Sequence, residues 1–182
     1  MPEPIVVVPY DESWKEEFQR TGSLLRQALG ERALRIDHIG STSVAGLDAK
    51  PIVDIQISVA ALEPMVYKPL LEAAGYLHQA DNPDRTKRYF RESPGRKRTH
   101  LHVREAGSWP EQLSLLFRDY LREQESARVL YAAEKHALAR KYKQPQEREL
   151  YVEGKGPVVW QILQEAHQWS QRTGWRPGGS DA

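Results

Sequence analysis

The chain has 182 residues, with 26 Lys and Arg against 25 Asp and Glu, so its formal charge at pH 7 is only +1. This balance is typical of a globular protein and excludes one that coats nucleic acid through bulk charge. We expect one domain over residues 1–175, because domains usually hold about 100–200 residues. A disordered tail is expected at 176–182, where glycine and polar residues predominate.

Neither cysteine nor a long apolar segment occurs in the sequence. The lack of cysteine excludes disulfides, thiolate zinc sites and a cysteine nucleophile, so oxygen and imidazole groups must hold any metal ion. The first residues do not resemble a signal peptide, and no segment approaches the roughly 18 apolar residues of a membrane span. These features predict a cytoplasmic protein that does not enter a membrane.

The first third of the chain predicts a helix and two strands. Apolar residues at helical spacing indicate a helix from about 13 to 29, which ends at Gly30. Residues 33–39 form a predicted strand, followed by a loop of small residues. In a second strand, 51–59, aliphatic residues at alternate positions face a core. Its polar face carries Asp54, Gln56 and Ser58.

The rest of the chain predicts a hairpin and several helices. These elements are a helix at 63–74 interrupted by Pro69, hairpin strands at 87–91 and 99–104, and helices from about 108, 125 and 157. The hairpin places His100 and His102 on one strand face. This order predicts an α+β fold, a small mixed sheet flanked by helices with a helical C-terminal third.

Gly40, Ser41 and Asp54 are the first candidates for chemistry. A glycine-serine turn lets the backbone approach a ligand, and its amides with the Ser41 hydroxyl can hold phosphate oxygens. Asp54 on the next strand offers a hard oxygen ligand to a divalent ion. Small-residue turns and strand carboxylates are common, so the pattern alone also fits a surface loop without a ligand.

A longer pattern resembles a known family. The run RIDHIGSTSVAGLDAKPIVDIQISV from Arg35, with HLHV from His100, FRDYLR from Phe117 and KGPVV from Lys155, resembles the GrpB family of bacterial proteins in the nucleotidyltransferase superfamily. The resemblance implies a nucleotidyltransferase-like fold with Asp54 as the first metal-binding carboxylate. Similar domains occur fused to a coenzyme A biosynthetic kinase, which implies a protein partner.

The chain departs from the superfamily's acidic residues. Active members have a second acid two positions after the first, where this chain has Gln56, and a third on a later strand, where it has His100 and His102. A neutral amide bridges two Mg²⁺ ions poorly, and imidazole suits Zn²⁺ or Mn²⁺ better than Mg²⁺. The expected metal site is Asp54, Gln56, His100 and His102, with one divalent ion, Mg²⁺, Mn²⁺ or Zn²⁺.

The expected ligand is a nucleotide or another phosphorylated small molecule. Lys50 precedes the strand of Asp54, and Lys155 precedes the last helix, whose N-terminal amides favour anions. The predicted phosphate-binding residues are Gly40, Ser41, Thr42, Lys50 and Lys155. Asp54 and His102 are the predicted catalytic residues, and His102 either completes the metal site or acts as a general base.

Three functions are open at this point. The first is metal-dependent transfer of a nucleotidyl group to an acceptor hydroxyl. The second is a non-catalytic nucleotide-binding or protein-assisting module, which the neutral Gln56 favours. The third and least favoured is nucleic-acid binding through the basic hairpin, Arg85 to Arg98, since strand alternation divides its cations between two faces.

Overall fold

A computed structural model describes residues 5–182 of the chain. At its centre is a five-stranded sheet with the strand order β1-β2-β5-β4-β3. The strands are β1 (Arg35–Ile39), β2 (Val53–Val59), β3 (Tyr76–His78), β4 (Arg88–Glu92) and β5 (Thr99–Glu105). The sheet is mixed, because β2 and β5 are parallel and the other neighbours are antiparallel.

Helices cover both faces of the sheet. They are α1 (Ser13–Leu29), α2 (Lys68–Ala73), α3 (Trp109–Glu123), α4 (Glu125–Lys141), α5 (Arg148–Gly154) and α6 (Gly156–Thr173). The main core lies between the sheet, α1 and α2, and a second core joins α3, α4 and α6 to the loop after β1. The predicted α+β class with a helical C-terminal part is confirmed. None of the helices within 5–182 combines the length and apolar character needed to cross a bilayer.

The polar face of β2 is open at one end and covered at the other. Gln56 and Ser58 are fully buried because α3 lies over them. Gln56 Nε2 donates to the Glu111 carbonyl at 3.2 Å, and the Ser58 hydroxyl donates to the Glu111 carboxylate at 2.7 Å. Only the Asp54 end of this face opens into a cleft. Alternation therefore identifies the polar face correctly, but not its burial.

Three elements differ from the sequence predictions for local reasons. The helix expected at 63–74 begins only at Lys68, with Pro69 in its first turn. Proline has a fixed φ and no N–H, so the first turn is where a helix tolerates it. The short elements β3 and α5 were not predicted, because three to seven residues show too little periodicity to identify.

The segment 176–182, where composition suggests a disordered tail, forms hydrogen bonds with the sheet in the structure. It runs beside β1, the edge strand, and the Asp181 N–H donates to the Ile36 carbonyl at 3.1 Å. The Asp181 carboxylate accepts hydrogen bonds from the backbone N–H of His38 at 3.0 Å and from Nη1 of Arg118 at 2.9 Å. An edge strand leaves backbone groups unpaired, and this segment satisfies some of them.

Candidate functional site

A cleft of about 370 Å³ opens where the loop after β1 meets β2, β5 and the C-terminal helices. It gathers side chains that lie far apart in the sequence. The predicted site residues in its lining are Gly40, Ser41, Thr42, Lys50, Asp54, His100, His102 and Lys155. Gln56 is the one predicted residue that does not line the cleft. Ligand binding by these residues remains a prediction.

Asp54 and two histidines lie together in this cleft. Parallel pairing of β2 with β5 places Asp54 beside His100 and Gln56 beside His102. The Asp54 Oδ1 atom lies 3.0 Å from His102 Nε2 and 3.4 Å from His100 Nδ1. Burial raises the pKa of the Asp54 carboxyl, but hydrogen bonds from both imidazoles outweigh it and hold the pKa well below its usual range. Asp54 is therefore an anion at neutral pH.

The donor set fits one divalent ion better than two. Ligand atoms of Asp54, His100 and His102 all lie within 4.8 Å of one another. Two bridged Mg²⁺ ions carry four positive charges and need more than one ionised carboxylate. Gln56, expected as a fourth ligand, instead donates to the Glu111 carbonyl. The atom that would bind an ion, Gln56 Oε1, has no hydrogen-bond partner among residues 5–182, but it is buried and does not line the cleft, so ligation by Gln56 stays a prediction.

The Gly40–Ser41 turn lies directly against Asp54. Gly40 has φ 71°, and a Cβ at this position would lie 2.8 Å from Asp54 Oδ2. Any side chain here would displace the carboxylate, which accounts for glycine at this position. The Ser41 hydroxyl accepts a hydrogen bond from Lys135 Nζ at 3.1 Å. The turn thus places the Gly40 backbone and the Ser41 hydroxyl beside the Asp54 carboxylate.

Thr42 is engaged inside the fold, although it was expected to contact phosphate. Its side chain is buried, and its hydroxyl donates to the Ile52 carbonyl at 3.0 Å. The same oxygen lies 3.0 Å from His38 Nε2, which must then be the donor. Burial lowers the pKa of His38 to about 3, so this ring is neutral. Thr42 and His38 therefore stabilise the Gly40–Ser41 turn from its buried side.

Three lysines line the cleft near the turn: Lys50 before β2, Lys135 on α4 and Lys155 between α5 and α6. Lys135 is only 3% exposed, and burial lowers its pKa to about 7. Burial and the neighbouring Lys155 lower the pKa of Lys50 to about 8. Burial also lowers the pKa of Lys155. Desolvated ammonium groups around one space favour an anionic ligand.

Sequence reasoning missed part of this cleft. The additional lining residues with polar side chains are Tyr131, Lys135, Arg148 and Tyr151. Lys50 Nζ lies 4.8 Å from the ring centroid of Tyr151, and Lys135 Nζ lies 4.5 Å from that of Tyr131. These rings orient the ammonium groups through cation–π contacts. The one signal in the sequence is that Lys135 interrupts the apolar stripe of α4.

The basic hairpin does not present its cations together. Arg88 pairs with Glu63 at 3.0 Å, and Lys97 pairs with Glu17 at 2.8 Å. Lys87 turns inward and is 15% exposed. These cations lie in separate ion pairs, so the structure adds no support to a nucleic-acid surface.

Comparison with known proteins decides the family. The sequence profile described as GrpB protein matches residues 4–165. The chain belongs to the GrpB family. The solved structure of the conserved protein GrpB from Enterococcus faecalis matches with a TM-score of 0.81 at 31% identity, over 91% of this chain and 99% of that one.

Sequence relatives of this GrpB-family chain include proteins of different length. It is 41% identical over 170 residues to UPF0157 protein PA4798 of Pseudomonas aeruginosa, covering 89% of this chain and 67% of the relative. It is 34% identical to dephospho-CoA kinase of Mycobacterium tuberculosis, over 96% of this chain and 49% of the kinase. The chain thus spans about half the length of that relative.

The fold also resembles that of a nucleotidyltransferase. The structure of a cytoplasmic RNA terminal U-transferase matches with a TM-score of 0.50 and 14% identity, over 71% of this chain and 42% of that one. At this identity the likeness concerns the fold alone. The expected nucleotidyltransferase-like fold is confirmed.

Proposed function

We propose that this GrpB-family protein binds a nucleotide, or another small molecule with a polyphosphate group, in the Asp54 cleft. One observation carries the proposal: a glycine-serine turn, three lysines and a carboxylate line the same cleft. The nucleotidyltransferase-like fold favours a nucleotide among phosphorylated ligands.

The residues of the cleft have different roles in the proposed binding. Lys50, Lys135 and Lys155 offset the negative charge of the phosphates, and the Ser41 hydroxyl donates to a phosphate oxygen. Asp54, together with phosphate oxygens of the ligand, would hold one Mg²⁺ or Mn²⁺ ion. When bound, such an ion supplies charge neutralisation at the phosphates.

The catalytic form of this proposal is transfer of a nucleotidyl group to an acceptor hydroxyl. The acceptor oxygen bonds to the α-phosphorus, the bond to pyrophosphate breaks, and the proton of the hydroxyl passes to an imidazole. His102 is the base expected from the sequence, but its Nε2 lies 3.0 Å from Asp54. His100 is the other candidate, because its Nε2 has no hydrogen-bond partner among residues 5–182, but this atom is buried, so the acceptor hydroxyl reaches it only if the cleft opens there.

Calorimetric titration of nucleoside triphosphates tests the binding, with Mg²⁺ or Mn²⁺ present. We expect saturable binding to the wild type and much weaker binding to Asp54→Asn and Lys135→Met. Asp81→Asn is the matched control, because Asp81 is an exposed carboxylate that does not line the cleft. A wild type that binds no triphosphate under these conditions contradicts the proposal. Release of pyrophosphate with candidate acceptors then tests catalysis.

A non-catalytic role is the second candidate, and the relation to dephospho-CoA kinase favours it. The match covers 96% of this chain but 49% of the kinase. The single carboxylate of the donor set agrees with binding without transfer. This function predicts that dephospho-CoA binds the cleft without a metal ion, and that Lys135→Met weakens this binding. Pyrophosphate release from a triphosphate would argue against it.

A further inference from the structure

Lys87 belongs to the basic hairpin by sequence but lies inside the fold. Its Nζ atom lies 5.1 Å from the ring centroid of Tyr89 and 4.0 Å from Asp84 Oδ2. The ring and the carboxylate hold the ammonium group in one place. From there Nζ lies 3.1 Å from Nδ1 of His102, which is the histidine closest to Asp54.

The chemistry of the two groups gives the direction of this hydrogen bond. A lysine ammonium has three donors and no acceptor, so Nδ1 of His102 must accept. A neutral ring that accepts at Nδ1 carries its hydrogen on Nε2. That nitrogen lies 3.0 Å from Asp54 Oδ1, so its hydrogen is donated to the carboxylate. Both ring nitrogens are then occupied.

We infer that Lys87 fixes this tautomer of His102 and makes His102 a positioning residue for Asp54. A metal ligand or a general base needs a free imidazole lone pair, and the one lone pair of this ring is directed at Lys87. The inference rests on the proposed function of the cleft, whose ligands Asp54 would contact.

The two histidines therefore have different roles despite their equivalent places on β5. The Nδ1 atom of His100 lies 3.4 Å from the same Asp54 oxygen. Its other nitrogen, Nε2, is buried and has no hydrogen-bond partner in the described part of the chain. Tyr89 packs against both rings, with centroids 5.5 Å from His100 and 5.4 Å from His102. Of these two rings, His102 alone has both nitrogens in hydrogen bonds to residues of the described part of the chain.

Long-range ¹H–¹⁵N spectra of protein labelled at histidine test the tautomer directly at pH 7. His102→Gln assigns the His102 signals. We expect Nε2 of His102 to carry a hydrogen and Nδ1 to be unprotonated in the wild type. Lys87→Met should shift the Nδ1 signal, whereas Lys68→Met, which removes an exposed lysine of α2, should not. Hydrogen on Nδ1 in the wild type, or no shift in Lys87→Met, overturns the inference.

A conservative variant guards against a folding defect in Lys87→Met. Lys87→Arg keeps a charged donor, so the wild-type tautomer should persist, and a protonated Nδ1 in this variant also counts against the inference. All spectra are recorded without ligand. A protein that shows the tautomer but binds no nucleotide refutes only the proposed function, and one that binds nucleotide but carries hydrogen on Nδ1 refutes only the inference.

Substitution of His102 separates positioning from ligation. The amide of His102→Gln can still donate to Asp54, whereas His102→Ala cannot donate. We expect triphosphate affinity with Mg²⁺ to fall by about 10-fold in the Ala variant, the usual effect of losing such a supporting residue, and clearly less in the Gln variant. Equal losses in the two variants would contradict a positioning role.

Discussion

The two ends of one strand face differ in their surroundings: one carries a carboxylate that lines a cleft, and the other is covered by a buried carboxylate of α3. Asp54 lies at the open end of the polar face of β2, between imidazoles and near three lysines. Glu111 covers the other end and is 1% exposed. Its oxygens accept from the Ser58 hydroxyl at 2.7 Å and from the Gly107 N–H at 3.1 Å. Both groups accept hydrogen bonds, but only Asp54 faces a space that a ligand can enter.

Removal of the Asp54 charge should have the largest effect on binding. We expect Asp54→Asn to weaken binding of a triphosphate with Mg²⁺ on the order of 100-fold, since hydrogen bonds and contacts of charged groups contribute about 1.5–3 kcal/mol each. Titration calorimetry on folded protein measures this loss. Unchanged affinity would show that the open end of the strand does not hold the ligand.

Removal of the Glu111 charge should lower the stability of the fold and leave ligand affinity unchanged. Glu111→Gln leaves buried donors with a weaker acceptor, so the free energy of unfolding should fall by about 1–3 kcal/mol. Triphosphate affinity of the folded variant should equal that of the wild type. Urea unfolding followed by circular dichroism measures the first quantity. A large loss of affinity without loss of stability would remove the distinction between the two ends.

Lys135→Met should make the protein more stable while it weakens ligand binding. The pKa of Lys135 is lowered from 10.5 to about 7, so the folded state binds fewer protons than the unfolded state between these values. The cost of burying the charge is full below pH 7 and declines as the pH rises. We expect the free energy of unfolding of the Met variant to exceed that of the wild type by ~2 kcal/mol at pH 6 and by less at pH 9. A difference independent of pH would contradict a buried charge.

Polyphosphate affinity should fall as the pH rises from 7 to 9. In this range Lys135 and Lys50, with pKa values of about 7 and 8, lose their charge in the free protein. Lys135 faces Ser41, Tyr131 and the Asp48 carbonyl. Calorimetry in buffers of different ionisation enthalpy should show proton uptake on binding, and the uptake should be smaller in Lys135→Met.

A lysine outside the cleft should show the smallest effect. Lys97 pairs with Glu17 but is 70% exposed, and exposed ion pairs contribute at most about 1 kcal/mol. Lys97→Ala should therefore change the free energy of unfolding by less than ~0.5 kcal/mol and leave triphosphate affinity unchanged. A marked loss of affinity would revive a role for the basic hairpin.

Local pattern was sufficient for the framework of the fold. Period-two alternation identifies β2, helical spacing identifies α1, and turn residues between two β-rich runs identify the β4–β5 hairpin. Each signal arises within a few neighbouring residues, because side chains repeat with the geometry of their own element. The glycine-serine turn and Asp54 were recognisable for the same reason, with further support from the family motif.

What only the tertiary structure decided is which distant residues share a space. Lys135 reaches Ser41 from 94 positions along the chain, and the segment around Asp181 pairs with β1 from more than 140 positions away. Gln56 has the same spacing from Asp54 as a metal ligand would, yet α3 places a carbonyl beside it. Such contacts depend on how helices pack over the sheet, and no local periodicity encodes that packing. The sequence therefore determined the strand that carries Asp54, and the packing of the C-terminal helices determined its cleft.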